Sequence, residues 1–339
     1  AQAGRDYSTV DISEVTLRDV YLPPFKACAD AGVGTFMTSF NEINGVPSSG
    51  NPFLLRDILK KEWGFKGFVV TDYTSINEMV PHGFAKNDKE AGEEALNAGV
   101  DMDMQGAVYY NYTKQSLSEG KVTMPEIDDA VKRILGIKFD LGLFDDPYRY
   151  LDSTREATMI MTKDNLAAAR DVARKSMVLL KNEGNVLPLR KETSIAVIGP
   201  LADDHVDMIG SWSAAGDGKK AISLLQGIQT RLGSNVKISY QKGCNINDAD
   251  KTGFDEAVAA AKKADVVVMV LGESFSMTGE AASRSDIGIP ENQVALLKAI
   301  HDTGKPIVLV LMNGRPLTLS WENENINSIL EAWFAGTEG

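Results

Sequence analysis

Asp72 stands directly after Phe68-Val69-Val70-Thr71, an apolar and β-branched run. Such a run reads as a buried parallel strand. A carboxylate just past it lies at the carboxyl end of the sheet, where α/β proteins place their sites. Spacing leaves two readings open: carboxylate chemistry at a site, or an N-cap for the helix that follows. A second group of charges lies between Leu271-Gly272-Glu273-Ser274, the end of another apolar run, and Pro290. That segment carries Glu280, Arg284 and Asp286 and is long for a strand-to-helix connection. Long loops at sheet ends are often functional, but the same charges also suit a solvated surface.

Other candidates carry less. Ile195-Ala196-Val197-Ile198-Gly199-Pro200 opens like a nucleotide-binding unit, yet it lacks GxGxxG and has Pro200 where a phosphate-binding amide would be wanted. A strand and a turn suffice to explain it. His82, His205 and His301 have no ligand spacing, so no metal site is expected. Cys28 and Cys244 lie in no CxxC or Cys/His cluster and cannot make a disulfide framework. Asn111-Tyr112-Thr113 fits a glycosylation sequon, a triplet that chance supplies often. Trp212 sits among small residues in Gly210-Ser211-Trp212-Ser213-Ala214-Ala215-Gly216. Its ring suits either the apolar face of a ligand or a buried anchor for the loop.

The elements that must position these residues alternate in two regions. In the first, a helix pattern from Leu22 to Ala31 precedes the strand-like Val33–Ser39, and Phe53–Trp63 is amphipathic with Leu54, Leu55, Ile58 and Leu59 on one face. Gly64-Phe65-Lys66-Gly67 turns into the Phe68–Thr71 strand. Helices over Glu90–Ala98 and Ile127–Phe139 flank Val100-Asp101-Met102-Asp103-Met104. A helical connector over 151–193 follows, with Leu166, Ala169, Ala173, Met177 and Leu180 on one face. In the second region, strands are expected at Ile195–Ile198, Val236–Tyr240, Val266–Leu271, Ile307–Met312 and near Ile329–Phe334. Helices are expected at Ile222–Leu232, Phe254–Lys263 and Asn292–His301. The class is α/β, with parallel sheets covered by helices.

The chain has 339 residues and a formal net charge of −12. The length suits about two domains. The acidic balance argues against nucleic acid or an anionic membrane as the main partner. No apolar run approaches the roughly 20 residues that span a bilayer.

Several segments share one set of motifs. Gly64-Phe65-Lys66-Gly67-Phe68-Val69-Val70-Thr71-Asp72-Tyr73 ends a strand at an aspartate, preceded by Met37-Thr38-Ser39-Phe40-Asn41-Glu42-Ile43-Asn44-Gly45-Val46-Pro47. Lys175-Ser176-Met177-Val178-Leu179-Leu180-Lys181-Asn182-Glu183, Met208–Gly216, Leu311-Met312-Asn313-Gly314-Arg315-Pro316-Leu317 and Trp333–Gly339 follow in order. Together they resemble the glycoside hydrolases of family 3, especially its bacterial periplasmic β-glucosidases. The resemblance implies the C-terminal part of a TIM-like (β/α)8 barrel over 1–150, a connector over 151–193, and an incomplete six-stranded α/β sandwich over 194–339. It implies a periplasmic location and is compatible with a homodimer.

The same resemblance assigns Asp72 as nucleophile and Glu280, in Thr278-Gly279-Glu280-Ala281-Ala282-Ser283-Arg284-Ser285-Asp286, as acid/base in preference to Glu273. Met37, Phe40, Tyr73 and Trp212 are the expected sugar-contacting residues. The implied reaction releases terminal non-reducing β-D-glucose from small glycosides or oligosaccharides with retention, without cofactor or metal. A retaining pair of carboxyl groups works at about 5–5.5 Å separation. Tyr73 and Phe40 differ from common family residues, so a β-xylosidase or another exo-acting member is the alternative, with a non-catalytic sugar-binding relative the third reading. The resemblance places sugar-gripping residues of the early barrel strands before Ala1, and further sandwich and a fibronectin-like domain after Gly339. The chain alone is therefore expected to be inactive.

Overall fold

The computed structural model describes residues 2–190, 193–233 and 236–339. Ala1, at the expected start of the first region, and Lys191 and Glu192, at the end of the expected connector, lie outside the described residues. Two compact units divide the chain, Ala1–Asp152 and Ser153–Gly339.

In the first unit, β1 (Thr35–Met37) leads to a two-stranded hairpin, β2 (Glu42–Ile43) and β3 (Val46–Pro47). Asn44 and Gly45 form its turn, both at positive φ as a two-residue hairpin loop requires. The helix Phe53–Glu62 then returns the chain to β4 (Phe68–Val70). β4 pairs in parallel with β1, Met37 opposite Val70, and Met102 adds a parallel bridge on the other side of Val70. The carboxyl ends of three parallel segments thus lie side by side. Val69 is buried at the centre, packed with Leu55, Leu59, Phe65, Ile76, Ala91, Ala95 and Val100. Helix Asp88–Ala98 starts where the Asn87 side chain accepts the Glu90 amide and stops at Gly99 in the left-handed region. A capping box of Thr123 and Glu126 opens helix Met124–Asp140.

The second unit is built on one six-stranded sheet. Its strands are β5 (Val178–Asn182), β6 (Ile195–Ile198), β7 (Ile238–Gln241), β8 (Val266–Gly272), β9 (Ile307–Met312) and β10 (Ser328–Glu331). They lie in the order β5-β10-β9-β8-β6-β7. All neighbours are parallel except β5, which runs antiparallel to β10. Alternation divides the strands between two cores. Ala196, Ile198, Val267, Met269, Leu309 and Leu311 face one; Val197, Val268, Val270, Val308 and Val310 face the other. Burying such a Val or Leu stabilises by about 1.5–3 kcal/mol relative to leaving it exposed.

The connector is a correction to the sequence reading. Helix Lys163–Ser176 carries Leu166, Ala169 and Ala173, but Met177 is extended and Leu180 belongs to β5. Helical spacing runs on through Leu180, yet the backbone from Val178 is taken up by pairing with β10, Val178 opposite Glu331, Leu179 opposite Leu330 and Lys181 opposite Ile329, with Leu180 at the shift of register between them.

Candidate active site

The Asp72 carboxylate does not cap the next helix. Helix Ser75–Glu78 has Thr74 at its N-cap, at φ 61°, with no side-chain cap bond. Asp72 Oδ1 instead accepts the amide of Tyr73 at 2.7 Å, and its carbonyl accepts the Ser75 amide at 3.1 Å. Beneath this turn the buried Thr71 hydroxyl accepts the Met104 amide at 2.7 Å, tying β4 to the segment after Met102. A buried hydroxyl chain completes the support: Thr38 to Ser49 at 2.7 Å, and Ser49 to Ser75 at 2.7 Å. It joins the end of β1, the turn after β3 and the helix after Asp72.

Met37, Phe40, Asp72 and Tyr73 all lie at or just past the carboxyl ends of β1 and β4. Met37 is 57% exposed and Tyr73 56%. Phe40 is half-buried, with its ring edge-on to Tyr7 at 4.6 Å between centroids. The rim is charged. His82 Nδ1 lies 2.8 Å from Glu42 Oε1, and Thr9 donates to Glu42 Oε2 at 3.0 Å. Burial pushes the Glu78 carboxyl above the usual carboxylate range; the neighbouring His82 opposes this and the charge of Asp72 adds to it.

In the second unit, Glu280 is exposed on the loop between β8 and helix Glu291–His301. Gly279 precedes it at φ 98°, and a Cβ there would fall 2.6 Å from Ser211 Oγ. Glycine is required because this loop crosses the Gly210–Gly216 segment at close range. The same crossing brings Trp212, 74% exposed, beside the residue that precedes Glu280. Asp207 ties the two loops together, accepting the Phe275 amide at 2.6 Å. Burial raises the Asp207 carboxyl, and that amide opposes the rise.

Glu273, the rival carboxylate of the loop, has a different environment. It is fully buried, with Oε1 2.6 Å from Arg284 Nη1 and 3.1 Å from Arg315 Nε. Engaged by two guanidiniums, it is not presented to a ligand. In the sequence Arg284 reads as a loop charge and Arg315 as part of a motif, and nothing in their spacing announces a shared partner. Nothing in the sequence marks Asp207, because its partner Phe275 lies on another loop.

The remaining candidates find ordinary roles. Gly199 follows β6 at φ 134°, where a Cβ would fall 2.2 Å from the Val270 carbonyl, so it serves strand packing. His205 Nδ1 lies 2.8 Å from the Ala221 carbonyl, and His301 stacks edge-on against Trp321. Asn111 lies on helix Val108–Ser118. Cys28 is exposed and Cys244 buried, both as free thiols. Among the described residues no group of three or more His, Cys, Asp or Glu side chains is arranged to hold a metal ion, and no helix is long and apolar enough to cross a membrane.

Comparison with known proteins gives a consistent set of matches. The glycosyl hydrolase family 3 N terminal domain matches residues 1–137, and the glycosyl hydrolase family 3 C-terminal domain matches residues 177–339. A periplasmic beta-glucosidase of Salmonella typhimurium is 47% identical, covering 100% of this chain and 47% of its own length. A beta-xylosidase of Formosa agariphila is 42% identical over 96% of this chain and 47% of its own. A crystal structure of beta-glucosidase from Listeria innocua in complex with isofagomine superposes with a TM-score of 0.92 at 38% identity, covering 100% of this chain and 46% of that one. The chain spans about half the length of the curated relatives it matches.

Proposed function

Because the chain belongs to glycoside hydrolase family 3, we propose that it carries both catalytic carboxylates of a retaining exo-β-glucosidase acting in the periplasm. Asp72 attacks the anomeric carbon while Glu280 protonates the departing oxygen, leaving a covalent glycosyl-enzyme. Glu280, then ionised, takes a proton from the water that releases the sugar. Met37, Phe40, Tyr73 and Trp212 line the sugar. The observation that carries the reading is Asp72 itself: a carboxylate at the carboxyl end of a parallel strand, with the N-cap role taken by Thr74. The relatives named β-glucosidase support glucose as the sugar and, through the Salmonella protein, the compartment.

A second reading, β-xylosidase, is favoured by the Formosa relative. Hydrolysis of nitrophenyl β-glucoside and β-xyloside by the intact natural protein separates the two. The glucosidase reading expects the larger kcat/KM on the glucoside, with retained configuration in the first-formed sugar. A preference for the xyloside would replace glucose by xylose, and absence of turnover on any glycoside would leave a sugar-binding relative.

A further inference from the structure

We propose that Glu273 is a positioning residue that fixes the backbone on both sides of Glu280 through Arg315 and Arg284. The inference rests on the reading of Glu280 as proton donor. Glu273 is a firm base for such a device: it is fully buried, and its amide donates to the Met312 carbonyl at the end of β9. From its Oε1 two guanidiniums extend into the loop. Arg315 Nη2 donates to the carbonyls of Met277 and Ala282, which bracket Glu280. Arg284 Nη2 donates to the Gly288 carbonyl at 3.0 Å, fixing the return of the loop toward helix Glu291–His301.

The bracketed stretch needs such support. Gly279 and Ala281, on either side of Glu280, both have positive φ, at 98° and 56°. A non-glycine residue in the left-handed region persists only where its surroundings over-determine it. The Glu273 carboxylate holds the Arg315 guanidinium by charge, as an ion pair at 3.1 Å, while Nη2 of the same planar group makes the directed bonds to the two carbonyls. Lysine at 315 would keep the charge near Glu273 but lacks the second donor arm that reaches the carbonyls. Any tilt of the 277–282 backbone is carried directly to the Glu280 side chain, and misplacement by about 1 Å is enough to cost on the order of 10²-fold in rate.

A residue needed only for folding would lower all substrates together. A positioning residue for a proton donor lowers those that need the proton. The test is a series of aryl β-glycosides of the preferred sugar, from dinitrophenyl to unsubstituted phenyl leaving groups, assayed with the intact protein and with Glu280→Ala, Glu273→Gln, Arg315→Lys and Arg315→Lys/Glu280→Ala. The expected result is a loss on the order of 10²-fold in kcat/KM on the phenyl glycoside for Glu273→Gln and Arg315→Lys, with little loss in kcat/KM on the dinitrophenyl glycoside, because kcat/KM reads the first chemical step and not the later attack of water. The double variant should be no worse than Glu280→Ala alone, because the bracket acts through the missing carboxyl. Should Glu273→Gln not fold, Arg315→Lys decides the matter. A loss equal across leaving groups for folded Arg315→Lys, or full multiplication of the two losses in the double variant, would overturn the inference. If Glu280→Ala itself shows no leaving-group dependence, the assignment of Glu280 fails instead.

Discussion

Two carboxylates of one loop meet opposite environments: Glu273 is buried against two arginines, and Glu280 is exposed beside the loop of Trp212. That difference fits one as support and the other as reagent. The proposed roles give a separate expectation for the second chemical step. In Glu280→Ala no group remains to draw the proton from water, so the glycosyl-enzyme formed from an activated aryl glycoside should persist. Azide needs no such help, and should accelerate turnover with a β-glycosyl azide as product. No azide product would mean that the base lies elsewhere. At this scale Asp72 was legible because a strand end announces itself in an apolar run followed by a charge. Whether its carboxylate capped the next helix was not, since that depends on the turn through Thr74. The ion pair between Glu273 and Arg315 is hidden for another reason: the two lie on loops after different strands of the sheet.

The supports of these residues include one buried ion pair. Lys60, on helix Phe53–Glu62, sets its Nζ 2.7 Å from Asp101 Oδ1, and Asp101 Oδ2 accepts the Val69 amide of β4 at 2.8 Å. Burial pushes the lysine below its usual value and the carboxyl above its own, and the mutual attraction opposes both shifts. Asp101→Ala would leave the buried ammonium with only the more distant Asp129 carboxylate, at 3.9 Å, and take its acceptor from an amide of β4. We expect a loss of about 3–5 kcal/mol in urea unfolding of the intact protein. Since the folded state holds the Asp101 proton to higher pH than the unfolded chain, its contribution to stability falls as pH rises from the ordinary carboxylate value to the raised one. The variant should lack that slope; wild-type stability at neutral pH would show that the pair is dispensable. Elements with a strong period were legible, as β8 and β9 show by matching their apolar runs closely. β5 was not, because its strand character comes from β10, distant in sequence. Helix Val108–Ser118 was not either. Its tyrosines, Asn and Thr are modest helix formers, and its start is held by Asp103, whose Oδ2 accepts the Val108 amide at 2.6 Å.

For the molecule as a whole, the α/β class follows from strand runs buried on both faces and alternating with amphipathic helices, a pattern local enough to read along the chain. The strand order β5-β10-β9-β8-β6-β7 does not follow from such a pattern, because any of several orders buries the same faces. Membership of glycoside hydrolase family 3 rests on matches in each of the two units. The central claim about this chain is that Asp72 forms the covalent bond to the sugar. The direct measurement is to incubate the intact protein with dinitrophenyl 2-deoxy-2-fluoro-β-glucoside, which slows both chemical steps but keeps the leaving group good enough for the first. The trapped protein is then digested and the modified peptide sequenced by mass spectrometry. One fluoroglucosyl group on Asp72, absent from Asp72→Asn, is the predicted result; a label on another carboxylate, or turnover undiminished in Asp72→Asn, would contradict it.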